Sequence, residues 1–200
     1  MEGGLFNTND ESYIEKGILI RCFGDEVDEV SRNYLTKSLA KIPGVIPPYC
    51  LPDRQHVYFM YNVRFDPKAA GANCAPRKFR IAVEKALYKE GMLVGQWQSM
   101  PVPAQDLFQS KLGYGGTGYP WQINEAKGVK YNYDPNQFPV AQMLCDTYTI
   151  VHGVHAPNGR ELMDGIVASF KKVFSNLDQA IAHADDAIYP GADGALYGAG

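Results

Sequence analysis

The sequence predicts an α+β fold, a small and mostly antiparallel sheet with helices packed on one face. Three observations carry this. Val57, Phe59, Tyr61, Val63 and Phe65 alternate with Tyr58, Met60, Asn62 and Arg64, the period of a strand with one buried face. Phe79, Ala82, Val83, Ala86 and Leu87 recur at the spacing of one helix face. Leu162, Ile166, Phe170, Val173, Phe174 and Leu177 do the same over 158–177. From residue 57 onward the order reads strand, helix, strand, loop, strand, helix.

The elements follow in chain order. Residues 3–9 read as a short strand, and Asp10 is placed to cap a helix over 11–22 with Ile14 and Ile18 on one face. After the break at Gly24-Asp25-Glu26, a helix is expected over 27–42. Its apolar side is Val27, Val30, Tyr34, Leu35, Leu39 and Ile42, and Pro43-Gly44 ends it. Pro47, Pro48 and Pro52 make the next segment extended. Asp66-Pro67 stops the strand over 57–65. The helix over 77–89 ends at Gly91, where a left-handed turn is cheap. Strands are expected over 92–97 and 147–151, with a short helix over 140–145 between them. Asn158 and Glu161 resemble a capping box for the last long helix. The expected division is a lead-in of strand and helices over 1–42 that packs elsewhere, a small α+β domain over 43–188, and a frayed Gly/Ala-rich tail over 189–200.

Composition sets outer limits. The chain has 200 residues, 46% of them hydrophobic, which is enough for one core. A net charge of -3 with no basic stripe argues against a nucleic-acid surface. No run of 18 apolar residues suggests a membrane span, and no secretory signal is visible, so the expected compartment is the cytoplasm. Cys22, Cys50, Cys74 and Cys145 match no zinc or Cys-x-x-Cys spacing and read as free thiols in a reducing compartment.

Residues 96–122 fit neither helical nor strand period and are rich in aromatic, Pro and Gly residues. A loop of that length inside a compact domain is usually functional. Trp97, Tyr114, Tyr119 and Trp121 can stack on a sugar or planar ring, or pin the loop to the core. Gly113-Tyr114-Gly115-Gly116-Thr117-Gly118 lacks the Lys-Ser/Thr of a phosphate loop and reads as a turn region. His152 and His155 sit three apart with no third ligand nearby in sequence, so no metal site is expected. Arg64 and Arg80 can hold an anion bidentately, but solvated or ion-paired roles are favoured. No acyl-transfer nucleophile motif occurs.

Several short motifs in one order resemble a known family. They are Glu2-Gly3-Gly4-Leu5-Phe6-Asn7-Thr8-Asn9-Asp10, Ile20-Arg21-Cys22-Phe23-Gly24, Ile42-Pro43-Gly44-Val45 and His56-Val57-Tyr58-Phe59-Met60-Tyr61. Phe79-Arg80 before Ala86-Leu87 and Glu90-Gly91, Pro101-Val102-Pro103, Leu112-Gly113-Tyr114-Gly115, Phe138-Pro139-Val140-Ala141 and the last long helix complete the set. The chain is similar to the sugar aminotransferases of the DegT/StrS type, which are fold-type I pyridoxal-phosphate (PLP) enzymes. The resemblance implies the small C-terminal domain of that fold, a PLP cofactor, and transamination of a keto-sugar in amino-sugar biosynthesis.

Two departures shape the functional expectation. In the family, the lysine that forms the Schiff base lies a few residues before the EGG segment, within an upstream large domain. Here Met1 directly precedes Glu2, and none of the twelve lysines holds that place. The stretch between Gly24 and Arg32 is also shorter than the family's. The chemistry needs that amine for substrate exchange and proton transfer. The chain alone is therefore expected to be inactive, with no catalytic residue of its own and no covalent PLP. The resemblance places Gly3 and Gly4 near the cofactor lysine's turn. Trp97, Tyr114 and Trp121 are the candidates for the substrate side. Expected partners are a second copy of the chain or a lysine-bearing large-domain chain, with a sugar nucleotide or keto-sugar as ligand. Two other readings stay open: a non-catalytic sugar-nucleotide-binding or dimerisation module, and a decayed product with no role.

Overall fold

A computed structural model describes residues 10, 13, 29–53, 56, 59–155 and 158–184. The expected strand over 3–9, nearly all of the helix over 11–22, Gly3, Gly4 and the tail lie outside the described residues. The architecture is α+β. The helices are α1 (Glu29–Leu39), α2 (Pro76–Lys89), α3 (Asp106–Ser110), α4 (Trp121–Glu125), α5 (Pro139–Thr147), α6 (Arg160–Phe174) and α7 (Leu177–Ala182). The strands are β1 (Val45–Ile46), β2 (Tyr61–Phe65), β3 (Val94–Gly95) and β4 (Tyr148–Val151). They form one antiparallel sheet in the order β1-β2-β4-β3, with both edge strands two residues long.

Alternation in β2 does what the sequence predicts. Tyr61, Val63 and Phe65 are buried, Asn62 is exposed and Arg64 is half-buried. The register pairs Tyr61 with Val151 and Val63 with the buried Thr149, so Tyr61, Val63 and Val151 share one face. The strand is shorter than expected, however. It begins at Tyr61, and Phe59 stands 83% exposed instead of joining the core. The core lies between this face and α1, α2 and α6. At its centre Phe65 meets Phe79 edge-on at 6.3 Å, with Phe174 at 6.1 Å and Phe170 at 6.4 Å. Each such ring contributes about 1.5–3 kcal/mol through burial.

The expected boundary at residues 42 and 43 has no counterpart in the packing. Leu35, Leu39 and Ile42 are buried in the same core as β2 and α6. Arg32 donates through Nε to the Val154 carbonyl at 3.3 Å, and the Tyr34 hydroxyl donates to Asp164 at 2.5 Å. Arg160 lies 3.3 Å above the Tyr34 ring while paired with Asp164 at 3.2 Å. The apolar side of α1 needed a partner, and α6 supplies it. The turn leaving this helix needs glycine at 44. Its φ is +84°, and a Cβ there would lie 2.5 Å from that of Ala70.

α6 differs from its expected frame. It starts at Arg160, and its buried residues are Met163, Ile166, Val167, Phe170 and Val173, leaving Leu162 41% exposed. Asn158 does not cap it. Its amide donates instead to the Gly153 carbonyl at 3.0 Å, and Gly159 occupies the cap position. Leu177 belongs to the next helix, α7.

Candidate functional site: an aromatic cleft beside an ordered loop

Residues 96–138 are not an irregular loop. They contain α3, α4 and two single 3-10 turns, at Val102–Ala104 and Pro135–Gln137. Phe108, Trp121, Tyr131 and Tyr133 build a small core of their own. Phe108 lies edge-on to Trp121 at 6.2 Å and to Tyr133 at 5.3 Å, and Tyr131 stacks on Tyr133 at 5.7 Å. The polar atoms of this cluster are satisfied internally. The Trp121 indole donates to the Tyr133 hydroxyl at 2.8 Å, and Gln109 donates to the carbonyls of Pro103 at 2.6 Å and Tyr133 at 2.9 Å. Buried aromatic residues with polar handles need such partners.

The glycine-rich tip follows from the same logic. Gly113 has φ +61°, and a Cβ there would fall 1.8 Å from the Tyr119 carbonyl oxygen. The amides of Tyr114, Gly116, Thr117 and Gly118 all donate to carbonyls within the tip. They are spent on the turn and do not converge on an anion, which is the structural reason the motif is no phosphate cradle. Tyr114 stands at this tip, 87% exposed.

A cleft of about 270 Å³ opens where β2 and β4 meet the start of the long segment. Phe59, Trp97, His152 and His155 are among its walls. Trp97 is 60% exposed, yet its backbone is held firmly. The amides of Trp97 and Gln98 both donate to the Tyr148 hydroxyl, at 3.0 and 2.8 Å. One residue earlier, the Gln96 side chain is buried and donates to the carbonyls of Cys145 at 2.6 Å and Tyr148 at 3.0 Å. The His152 amide donates to the Leu93 carbonyl at 3.1 Å, which ties the other wall to the residue just before β3. Burial, then the neighbouring His155, hold the His152 imidazole below its usual range. It is a neutral group at neutral pH, able both to donate and to accept.

The three substrate-side candidates part company here. Trp97 lines the cleft, whereas Tyr114 and Trp121 are not among its lining residues. Trp121 is 7% exposed and belongs to the loop's own core. The sequence does not single out Phe59, which lines the cleft, nor Gln96 and Tyr148, which brace the chain at Trp97 without lining it. Phe59 read as a buried strand position. Gln96 and Tyr148 meet across 52 residues, and no local pattern marks such a pair.

Arg80 is fully withdrawn from solvent and ion-paired with Glu84 one turn along α2, so the solvated alternative does not hold for it. Arg64 is half-buried and donates to the Met143 sulfur at 3.5 Å. Among the described residues no group of three His, Cys, Asp or Glu side chains can hold a metal ion, and no helix is long and apolar enough to cross a membrane. Comparison with protein-family models and with curated proteins returns no match for this chain.

Proposed function

We propose that this domain is the small-domain part of a PLP-dependent, amino-sugar aminotransferase-like protein, that it supplies the substrate side of the site, and that alone it turns nothing over. The observation that carries the reading is the cleft. It offers two exposed aromatic faces, Phe59 and Trp97, beside a neutral imidazole, with neither lysine nor arginine in its lining. That chemistry suits an uncharged polyhydroxylated ring: apolar sugar faces stack on Trp97 while His152 exchanges hydrogen bonds with hydroxyls. The ordered motifs from Ile42 to the last long helix and the antiparallel sheet with its helical layer support the same ancestry.

The cleft does not fit PLP as a covalent guest. Its lining holds no amine to condense with an aldehyde and no guanidinium or ammonium to take a phosphate. Both would come from a lysine-bearing chain, either a large-domain partner or a longer form of this protein. Free Cys74 and Cys145 suit a reducing, cytoplasmic setting for such an enzyme.

Two measurements test this. Titration with a nucleotide-linked keto-sugar should quench Trp97 emission saturably and give saturable heat in calorimetry, and Trp97→Ala should abolish the heat. Incubation with PLP followed by borohydride should leave no stoichiometric pyridoxyl adduct on any single lysine. Unchanged sugar binding by Trp97→Ala would remove the cleft from the argument, and a single labelled lysine would overturn the inactive-domain reading.

A second reading, an assembly module, draws on the exposure of Phe59, Tyr114 and Val140. Exposed apolar groups of this size favour association. Sedimentation should show a concentration-dependent dimer, and a clean monomer at high concentration counts against it.

A further inference from the structure

The helical layer carries a second cavity, remote in chemistry from the aromatic cleft. It lies between α2, α6 and α7, has a volume of about 350 Å³, and is floored by small apolar residues. Lys85 and Lys89 project into it from successive turns of α2, Lys172 from the last turn of α6, and His183 from the end of α7. Glu90 is the one carboxylate among its lining residues. Three ammonium groups face one acid on a chain whose net charge is -3, so the excess is local and not a property of the whole surface.

The internal partners leave that excess largely unspent. Lys85 donates to the Ala184 carbonyl, a neutral acceptor. Lys172 pairs with Glu90 at 2.7 Å, but both side chains are partly exposed, and such a pair holds by about 1 kcal/mol or less. Lys89 has no carboxylate partner among the described residues. The Gln179 amide adds a neutral donor to the same lining, whereas the Asn176 amide already donates to the Lys172 carbonyl at 2.8 Å. Cations near helix C-termini also offset the helix dipole, which accounts for one ammonium at each end but not for three converging on one cavity.

We propose that this cavity is a binding site for a soluble phosphate-bearing small molecule. The dianion takes the place of Glu90 at Lys172 and is reached by Lys89 and Lys85, while the apolar floor carries the organic part of the ester. The site is independent of the aminotransferase reading, since it uses no residue of the aromatic cleft.

The test uses the full 200-residue chain. It is titrated with glycerol 3-phosphate, followed by calorimetry and by the NMR signals of His183. The expected result is saturable binding that moves the His183 signals and weakens as salt rises. Lys89→Gln and Lys172→Gln should each weaken it by about three- to tenfold, and Glu90→Gln should tighten it. Lys89 is exposed, so its substitution leaves the fold intact, which an unchanged Tm verifies. Lys127→Gln, outside the cavity, changes net charge equally and should have no effect. Non-saturating binding, unmoved His183 signals, or an equal loss in Lys127→Gln would overturn the proposal. So would binding confined to phosphatidylcholine vesicles doped with phosphatidic acid, since that places the phosphate on a membrane and not on a soluble ligand.

Discussion

Trp121 and Tyr133 are joined by a hydrogen bond of 2.8 Å from indole to phenol, and both rings flank Phe108. This small cluster is why a segment with no sheet and no long helix holds one shape. Trp121→Phe keeps most of the apolar contact and loses the bond, so global stability should fall by about 1 kcal/mol. Trp121→Ala should free the segment more completely. Limited proteolysis is the direct check: the first cuts in Trp121→Ala should fall within 96–138, and cuts elsewhere would show that the cluster does not organise the segment. The two tryptophans also separate spectroscopically. Trp97→Phe should leave the blue-shifted emission of a buried indole, and Trp121→Phe the red-shifted, acrylamide-quenched emission of an exposed one.

Arg80 and Glu84 form an ion pair that is almost wholly buried. Removing one partner strands a charge in the interior. Glu84→Gln or Arg80→Met should therefore cost about 3–5 kcal/mol in urea unfolding, while the double change to Arg80→Met with Glu84→Leu should recover most of it. A double variant as unstable as the singles would mean that the pair's neighbours, and not its charges, set the penalty.

Two glycines should respond to alanine in opposite directions. Gly165 lies within α6 with open space around a built Cβ, so Gly165→Ala should stabilise the domain by about 0.5–1 kcal/mol. Gly113→Ala meets the Tyr119 carbonyl in a left-handed conformation and should destabilise the loop tip. Thermal melts compare them directly. A lower Tm for Gly165→Ala would contradict the packing described for α6.

The depressed His152 imidazole makes stability depend on pH. Its folded value lies below the ordinary 6.5, so the unfolded chain takes up the proton first as pH falls. Stability should decline as pH drops through about 6.5 and level off below the folded value. His152→Gln should flatten that window and leave the region above neutrality unchanged. An NMR titration giving His152 a value at or above that of a free imidazole would cancel the effect.

The sheet and its main helices were legible because their apolar residues repeat at the period of the element. Tyr61, Val63 and Phe65 of β2 and the α2 stripe of Phe79, Ala82, Val83 and Leu87 are buried as that periodicity requires. Periodicity is blind to what a face packs against. It could not tell that α1 completes the core through Leu35 and Leu39, or that Arg80 and Glu84 pair with each other off the apolar stripe. The α6 frame was misread because Leu162 and Met163 are equally apolar, and only the true helix start at Arg160 decides between them. Within the site, Trp97 was visible as an aromatic residue in an aperiodic stretch. Its anchor, Tyr148, was not, because that contact spans 51 residues and leaves no local trace.

The two-residue outer strands have a consequence for life at high concentration. A stray chain adding itself to either border of the described sheet would find only two rungs to grip before the backbone turns away. Brevity of this kind is a known safeguard against runaway cross-chain templating. A fusion or insertion that lengthened β1 or β3 would remove it, and fibrillar precipitation would be the first sign of the loss.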